Sequence, residues 1–179
     1  MIAIRRRLQL RLRREEGFGL VELLIAMSVL VVGILAVFLL FQAGIVQIRR
    51  ASTVSTAAAL AEAEIEFYRA IRFDSIGLAQ ADIDAIPGGD PYNTDSAYNA
   101  GALVILAKCG SPPCTSKDPI QASVTGADGK QYRIDTFMSW QTVTGGRDVK
   151  VLTIVVRDMN DLTKEWARVV SSFDESTGL

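Results

Sequence analysis

Three side chains stand out chemically from their surroundings: Glu22, Cys109 and Cys114. Glu22 is a carboxylate at the head of a long apolar run. An ionised acid at bilayer depth costs about 2–3 kcal/mol, so it either serves a purpose there or marks the interface. At the first turn of a helix the dipole favours an anion, and that simpler reading stands beside the functional one. Cys109 and Cys114 bracket the run Cys-Gly-Ser-Pro-Pro-Cys. In a domain outside the cytoplasm such a close pair reads as a disulfide closing a small loop. Two free thiols or a redox pair are the alternatives, and a four-residue spacer with two prolines argues against a thioredoxin-like site. The chain has no His and only two Cys. A Ser-His-Asp site is therefore excluded, and two Cys alone cannot complete a four-ligand zinc site. No paired acids, nucleotide loop or metal cluster emerges, Ser111 has no base beside it, and no enzyme activity, cofactor or small-molecule substrate is expected.

The element that positions Glu22 is the segment behind it. Leu23 to Phe41 is 19 residues without charge, relieved only by Ser28 and Gly33. At about 1.5 Å per residue it spans a hydrocarbon core of about 30 Å, and it exceeds a signal-peptide core of about 7–15 residues. Residues 1–17 carry six Arg and two Glu, a net of +4, whereas residues 18–179 carry a net of −5. The basic leader stays cytoplasmic and the C-terminal part lies outside. The acidic remainder makes nucleic acid an unlikely partner.

Gly17-Phe18-Gly19-Leu20-Val21-Glu22, between a charged leader and an apolar helix, resembles the class III signal of type IV prepilins. The resemblance implies cleavage between Gly17 and Phe18 by a membrane-embedded prepilin peptidase, followed by N-methylation of Phe18. Glu22 then becomes the fifth residue of the mature chain. There its carboxylate would neutralise the new amine of an adjacent subunit and fix the register of assembly, as single buried polar groups do in coiled coils. The implied partners are other pilin subunits, the peptidase, an inner-membrane assembly platform and the membrane itself. The implied location is a single-pass membrane protein that passes into a surface or periplasmic filament. Major pilins commonly carry a kinking Pro where this chain has Leu39, and no Pro precedes Pro87. That is more usual in minor pilins and pseudopilins. The strand sequences Tyr132-Arg133-Ile134-Asp135-Thr136-Phe137 and Val149–Asp158 also look like minor pilins of the PilV kind.

Helical character continues past Phe41. Residues 42–72 lack Pro and are rich in Ala, and Ala, Leu60, the glutamates and the arginines are strong helix formers. One helix is expected from about Phe18 to Arg72, with an apolar stripe of Leu60, Ala63, Phe67, Ala70 and Ile71. Residues 74–100 read as a long surface loop. Its Asp82, Asp84, Asp90 and Asp95 invite a calcium reading, since some pseudopilins bind calcium. Their spacing fits no EF-hand, so a solvated acidic loop without metal is expected. Strand patterns follow at Ala102–Ala107, Ile120–Val124, Tyr132–Trp140 (one face buried), Val149–Val156 (apolar on both faces, hence central) and Lys164–Ser171. Residues 125–129, Gly145-Gly146 and Met159-Asn160-Asp161 read as turns. The expected fold is α+β, a long N-terminal helix on an antiparallel sheet. Its expected parts are a leader (1–17), a transmembrane and assembly half-helix (18–48) and an extracytoplasmic globular domain (49–179).

Overall fold

A computed structural model describes residues 19–106 and 117–175. Helix α1 runs from Leu20 to Arg69 without interruption. A 3-10 turn (Phe73–Ser75) and two short helices, α2 (Gln80–Asp84) and α3 (Pro91–Thr94), follow. The strands are β1 (Ile120–Thr125), β2 (Gln131–Gln141), β3 (Val149–Asp158) and β4 (Asp161–Phe173). They form one antiparallel sheet in the order β1-β2-β3-β4. The chain divides between Ile48 and Arg49 into two compact units. The first contains the apolar half of α1, described below with the candidate site.

The second unit holds the core. Successive strand residues point to opposite faces, and the register aligns Ile134 with Val156 and Met138 with Leu152, and Ile154 with Val169. These residues share the face on which the second half of α1 lies. Gln121 of β1, on that face opposite Ile134, donates to Glu64 of α1 at 2.9 Å. The helix buries Thr53, Ala57, Ala61, Glu64, Ile65 and Tyr68, which follow i, i+4, i+8, i+11, i+12 and i+15. This stripe differs from the expected one. Leu60, Phe67 and Ile71 flank it, half-buried, and Ala63 and Ala70 are exposed. The displacement arises because Thr53 and Glu64 are core residues despite their polarity. Thr53 donates to the Arg49 carbonyl (3.0 Å), and Glu64 is satisfied by Lys117 (2.7 Å) as well as Gln121.

The β1–β2 turn depends on glycine at two positions. A side chain at Gly126 would sit 2.6 Å from the Thr56 methyl and 2.7 Å from the Tyr132 ring, so the helix–turn contact there admits no β-carbon. Gly129 has φ +75°, a left-handed conformation that favours glycine.

The opposite face of the sheet is covered too, by the segment expected to be a surface loop. Tyr92 is fully buried. Its ring stacks on Phe137 with centroids 4.2 Å apart, and its hydroxyl donates to the Thr136 carbonyl (2.8 Å). Ile76, Leu78 and Ile83 join the core. Residues 74–100 are therefore a packed layer, and β2 is buried on both faces from Tyr132 to Met138, not on one. Ala102–Ala107 forms no regular strand within the described residues. Leu103 and Ile105 make isolated bridges to Ser139 and Leu78. Lys150, inside the apolar run of β3, is buried as well. Its Nζ donates to the carbonyls of Phe73 (2.6 Å) and Ile76 (2.8 Å), which pins the turn after α1 to the sheet. Burial holds this amine below the ordinary lysine range.

Candidate functional site

The first half of α1 exists as a helix because nothing in it breaks one. It lacks Pro, and Leu, Ala and Met are good helix formers. Its best 18-residue window has a mean hydropathy of 3.1, and none of that window is buried. Such a surface needs lipid or other helices. Ser28, the one hydroxyl in it, donates to the Leu24 carbonyl one turn back (2.8 Å). That bond removes the cost of an unpaired donor in an apolar medium. Gly33 and Gly44 have open space where a β-carbon would stand. At Gly44 the surface dips into an apolar notch bordered by Val37, Leu40, Phe41, Ile45 and Ile48. Small residues of this kind let helix backbones approach closely in a membrane.

Glu22 stands in the first turn. Its amide donates to the Gly19 carbonyl (2.9 Å), as does that of Leu23 (3.1 Å). The carboxylate is exposed and has no ion-pair partner among the described residues. It is thus presented, exposed, at the positive end of the helix dipole. Gly17 and Phe18, the expected cleavage and methylation residues, lie outside the described residues, as do Cys109 and Cys114.

The four acids of residues 74–100 do not converge. Asp84 accepts from Gln80 within α2 (2.7 Å), and Asp82 lies beside Asp118 at a shallow surface depression. Asp90 and Asp95 are instead bound to arginines. Asp90 caps α3, accepting from the Tyr92 amide (2.8 Å), and pairs with Arg133. Asp95 pairs with Arg157 and receives both amino groups of Arg168 at 3.0 and 2.9 Å. Asp135 joins the two halves, accepting from Arg133 Nε (2.6 Å) and Arg157 Nε (2.8 Å). The expectation of a solvated acidic loop is overturned for these two residues, because the Asp95 side chain is only 3% exposed and that of Asp90 16%. Among the described residues no group of three or more His, Cys, Asp or Glu could hold a metal ion.

The electrostatics follow from these contacts. The Arg133 hydrogen bond holds the Asp90 carboxyl below its usual range. Asp95 also lies below its usual range: burial opposes this, and Arg168 and the Ala97 amide overcome it. Asp135 goes up, because full burial outweighs its two guanidinium partners. The network ties the covering layer to β2, β3 and β4. Sequence reasoning missed it because Arg133 and Asp135 alternate with apolar residues, a pattern that ordinarily marks a solvated face, and Arg157 stands with Asp158 at the end of the apolar run of β3. The available signal was the excess of apolar residues over what one buried face requires.

Comparison with known proteins bears on the N-terminal segment. Residues 12–38 match the family model described as Prokaryotic N-terminal methylation motif. No curated protein and no solved structure matched the chain. The motif, the exposed apolar helix and the α+β plan together support a type IV pilin-type filament subunit or pseudopilin.

Proposed function

We propose that the chain is a prepilin, cut between Gly17 and Phe18, N-methylated on Phe18, and incorporated as a minor subunit of a type IV pilus or a related filament. The observation that carries the proposal is the pairing of Glu22, which has no ion-pair partner among the described residues, with an apolar surface that is exposed along the whole first half of α1. Neither feature is useful to a monomer in water. Both are accounted for when the helix waits in a bilayer and then exchanges lipid for the helices of other subunits.

The matched methylation motif supports the processing step. Processing produces a positive amine at the new N-terminus. In an apolar surrounding, Glu22 of a neighbouring subunit offsets the desolvation of both charges when the two meet. The uninterrupted helix through Leu39 favours a minor pilin or pseudopilin over a major pilin. In this reading residues 1–17 are a cytoplasmic leader, 18–48 the membrane and assembly segment, and 49–179 the globular part outside. The chain turns over no substrate. Its partners are pilin subunits, the peptidase and an assembly platform in the inner membrane. Cys109 and Cys114 close a disulfide loop on the exported domain.

Glu22→Ala tests the assembly role. The variant is expected to be processed normally and to be lost from sheared filaments. Incorporation at the wild-type level would refute the role given to Glu22.

A further inference from the structure

Residues 79–101 leave the core and return to it at one place. The Leu78 amide donates to the Val104 carbonyl (2.9 Å), and the Leu78 carbonyl accepts from Leu106 (2.9 Å). A parallel bridge between Leu78 and Ile105 thereby closes a neck. Both sides of the neck are fixed to the rest of the domain. Before it, Lys150 holds the carbonyls of Phe73 and Ile76. After it, the Ala102 carbonyl accepts from Trp140 (2.7 Å) and the Val104 amide donates to Met138 (3.1 Å).

Beyond the neck the main chain bonds locally. Ile83 donates to Ala79, Ala85 to Ala81, Asp90 to Pro87, Asn93 to Asp90, Asp95 to Tyr92 and Tyr98 to Asp95. Among the described residues no backbone hydrogen bond joins 79–101 to the sheet. Side chains hold the segment down instead. Ile83 and Tyr92 are buried, and Tyr92 stacks on Phe137. Asp90 is the N-cap of α3 and pairs with Arg133 of β2. Asp95 is its C-cap and pairs with Arg157 of β3 and Arg168 of β4. Two carboxylates thus clamp the two ends of the short helix that carries Tyr92.

This arrangement lets the segment part from the sheet while the rest stays folded. Segments with few backbone ties open at a lower cost than the core strands around them. While the segment is closed, Arg133 and Arg157 are buried, and the carboxylates opposite them make that burial tolerable. Once it lifts, the guanidinium groups meet water. Removing the charges of Asp90 and Asp95 therefore raises the closed state and leaves the open one untouched.

We propose that residues 79–101 are a strap that opens as one unit about the Leu78–Ile105 neck, with Asp90 and Asp95 as its catches. Opening uncovers Phe137 on the same face of the sheet as Arg133, Arg157 and Arg168, where Asp135 is then the remaining carboxylate of the network.

Hydrogen exchange of the full chain in detergent, read by mass spectrometry, tests this. In the wild type, peptides covering 79–101 are expected to exchange together and faster than those covering Leu152–Val156 of β3. Asp90→Asn/Asp95→Asn keeps a competent cap on α3 and removes both charges. It is expected to speed exchange in 79–101 roughly a hundredfold or more, the effect of leaving one buried charge unpaired. Exchange in β3 and in Ala57–Tyr68 of α1 should not change. Arg168→Gln, at the more exposed end of the network, is the milder variant and should speed the same peptides several-fold. Should the double variant fail to fold, Arg168→Gln decides the matter by the same readout. Acceleration shared equally by 79–101, β3 and α1 would overturn the strap, because the layer would then open only with the whole domain. Wild-type exchange in 79–101 as slow as in β3 would overturn it too. Unchanged exchange of 79–101 in the variants would overturn the role of the catches.

Discussion

Asp135→Asn removes the charge at the centre of the ionic network while keeping the side chain's shape. Asp135 is completely buried and receives two guanidinium Nε–H groups. Two charge-assisted hydrogen bonds are worth about 1.5–3 kcal/mol each, and removing one partner of a buried ion pair costs about 3–5 kcal/mol. The raised carboxyl pKa shows that part of this attraction already offsets burial, and Asn retains an acceptor oxygen. The expected loss is therefore near the lower figure, about 3 kcal/mol, against a typical total of about 5–15 kcal/mol. For a domain of this size that lowers the melting temperature by roughly 10 °C. Both tryptophans, Trp140 and Trp166, lie in the sheet, so their emission follows the globular unit and ignores the apolar helix. Thermal unfolding of the full chain in detergent, followed by that emission, gives the number. Glu66→Ala is the control. Its pair with Arg69 is more than half exposed on both sides and should matter by less than about 1 kcal/mol. If Asp135→Asn costs no more than Glu66→Ala, the network does not hold the covering layer and the reasoning fails.

Further outcomes follow from the same contacts. Gly126→Ala should destabilise by about 1–3 kcal/mol in urea unfolding, because its β-carbon would meet Thr56 and Tyr132 at under 3 Å. Acid should weaken the globular unit. Asp90 and Asp95 have folded pKa values below the unfolded value of about 3.9, so their contribution is complete above that value and disappears as pH falls below it. Asp135, raised on folding, opposes this in part. A pH titration of the unfolding midpoint that rose steadily on acidification would contradict the signs. Alkali should act through tyrosine. Burial pushes Tyr68, Tyr92 and Tyr132 above their ordinary value, with the Asp128 carboxylate adding to the effect at Tyr132. Their stabilisation is complete below about pH 10 and is lost as pH rises past it. Tyrosinate absorbance should accordingly grow in step with unfolding.

How much could be read beforehand depended on what kind of signal each part carries. The helix was legible because Leu23–Phe41 has no charge and residues 42–72 have no Pro. Its boundaries moved by only two or three residues, to Leu20 and Arg69. The central strand was legible because Val149–Val156 is apolar on both faces, and β3 does lie between β2 and β4. The second layer was not legible. Asp90, Asp95, Arg133 and Arg157 each look like solvated surface residues, and only their mutual pairing allows burial. Pairing across 43 and 62 residues leaves no local periodicity to detect. The helix stripe was shifted for a related reason, since Thr53 and Glu64 count as polar until their partners on Lys117, Gln121 and Lys130 are known. At the candidate site, Glu22 was conspicuous because a carboxylate beside an apolar helix is costly.

The central claim concerns processing, and the most direct measurement is intact mass with N-terminal sequencing of the protein from membranes and from sheared surface filaments. The account predicts a mature chain that begins at N-methylated Phe18 and is present in the sheared fraction. A chain that still begins at Met1 and is confined to membranes, in cells with an active prepilin peptidase, would contradict it and leave a tethered domain that never polymerises.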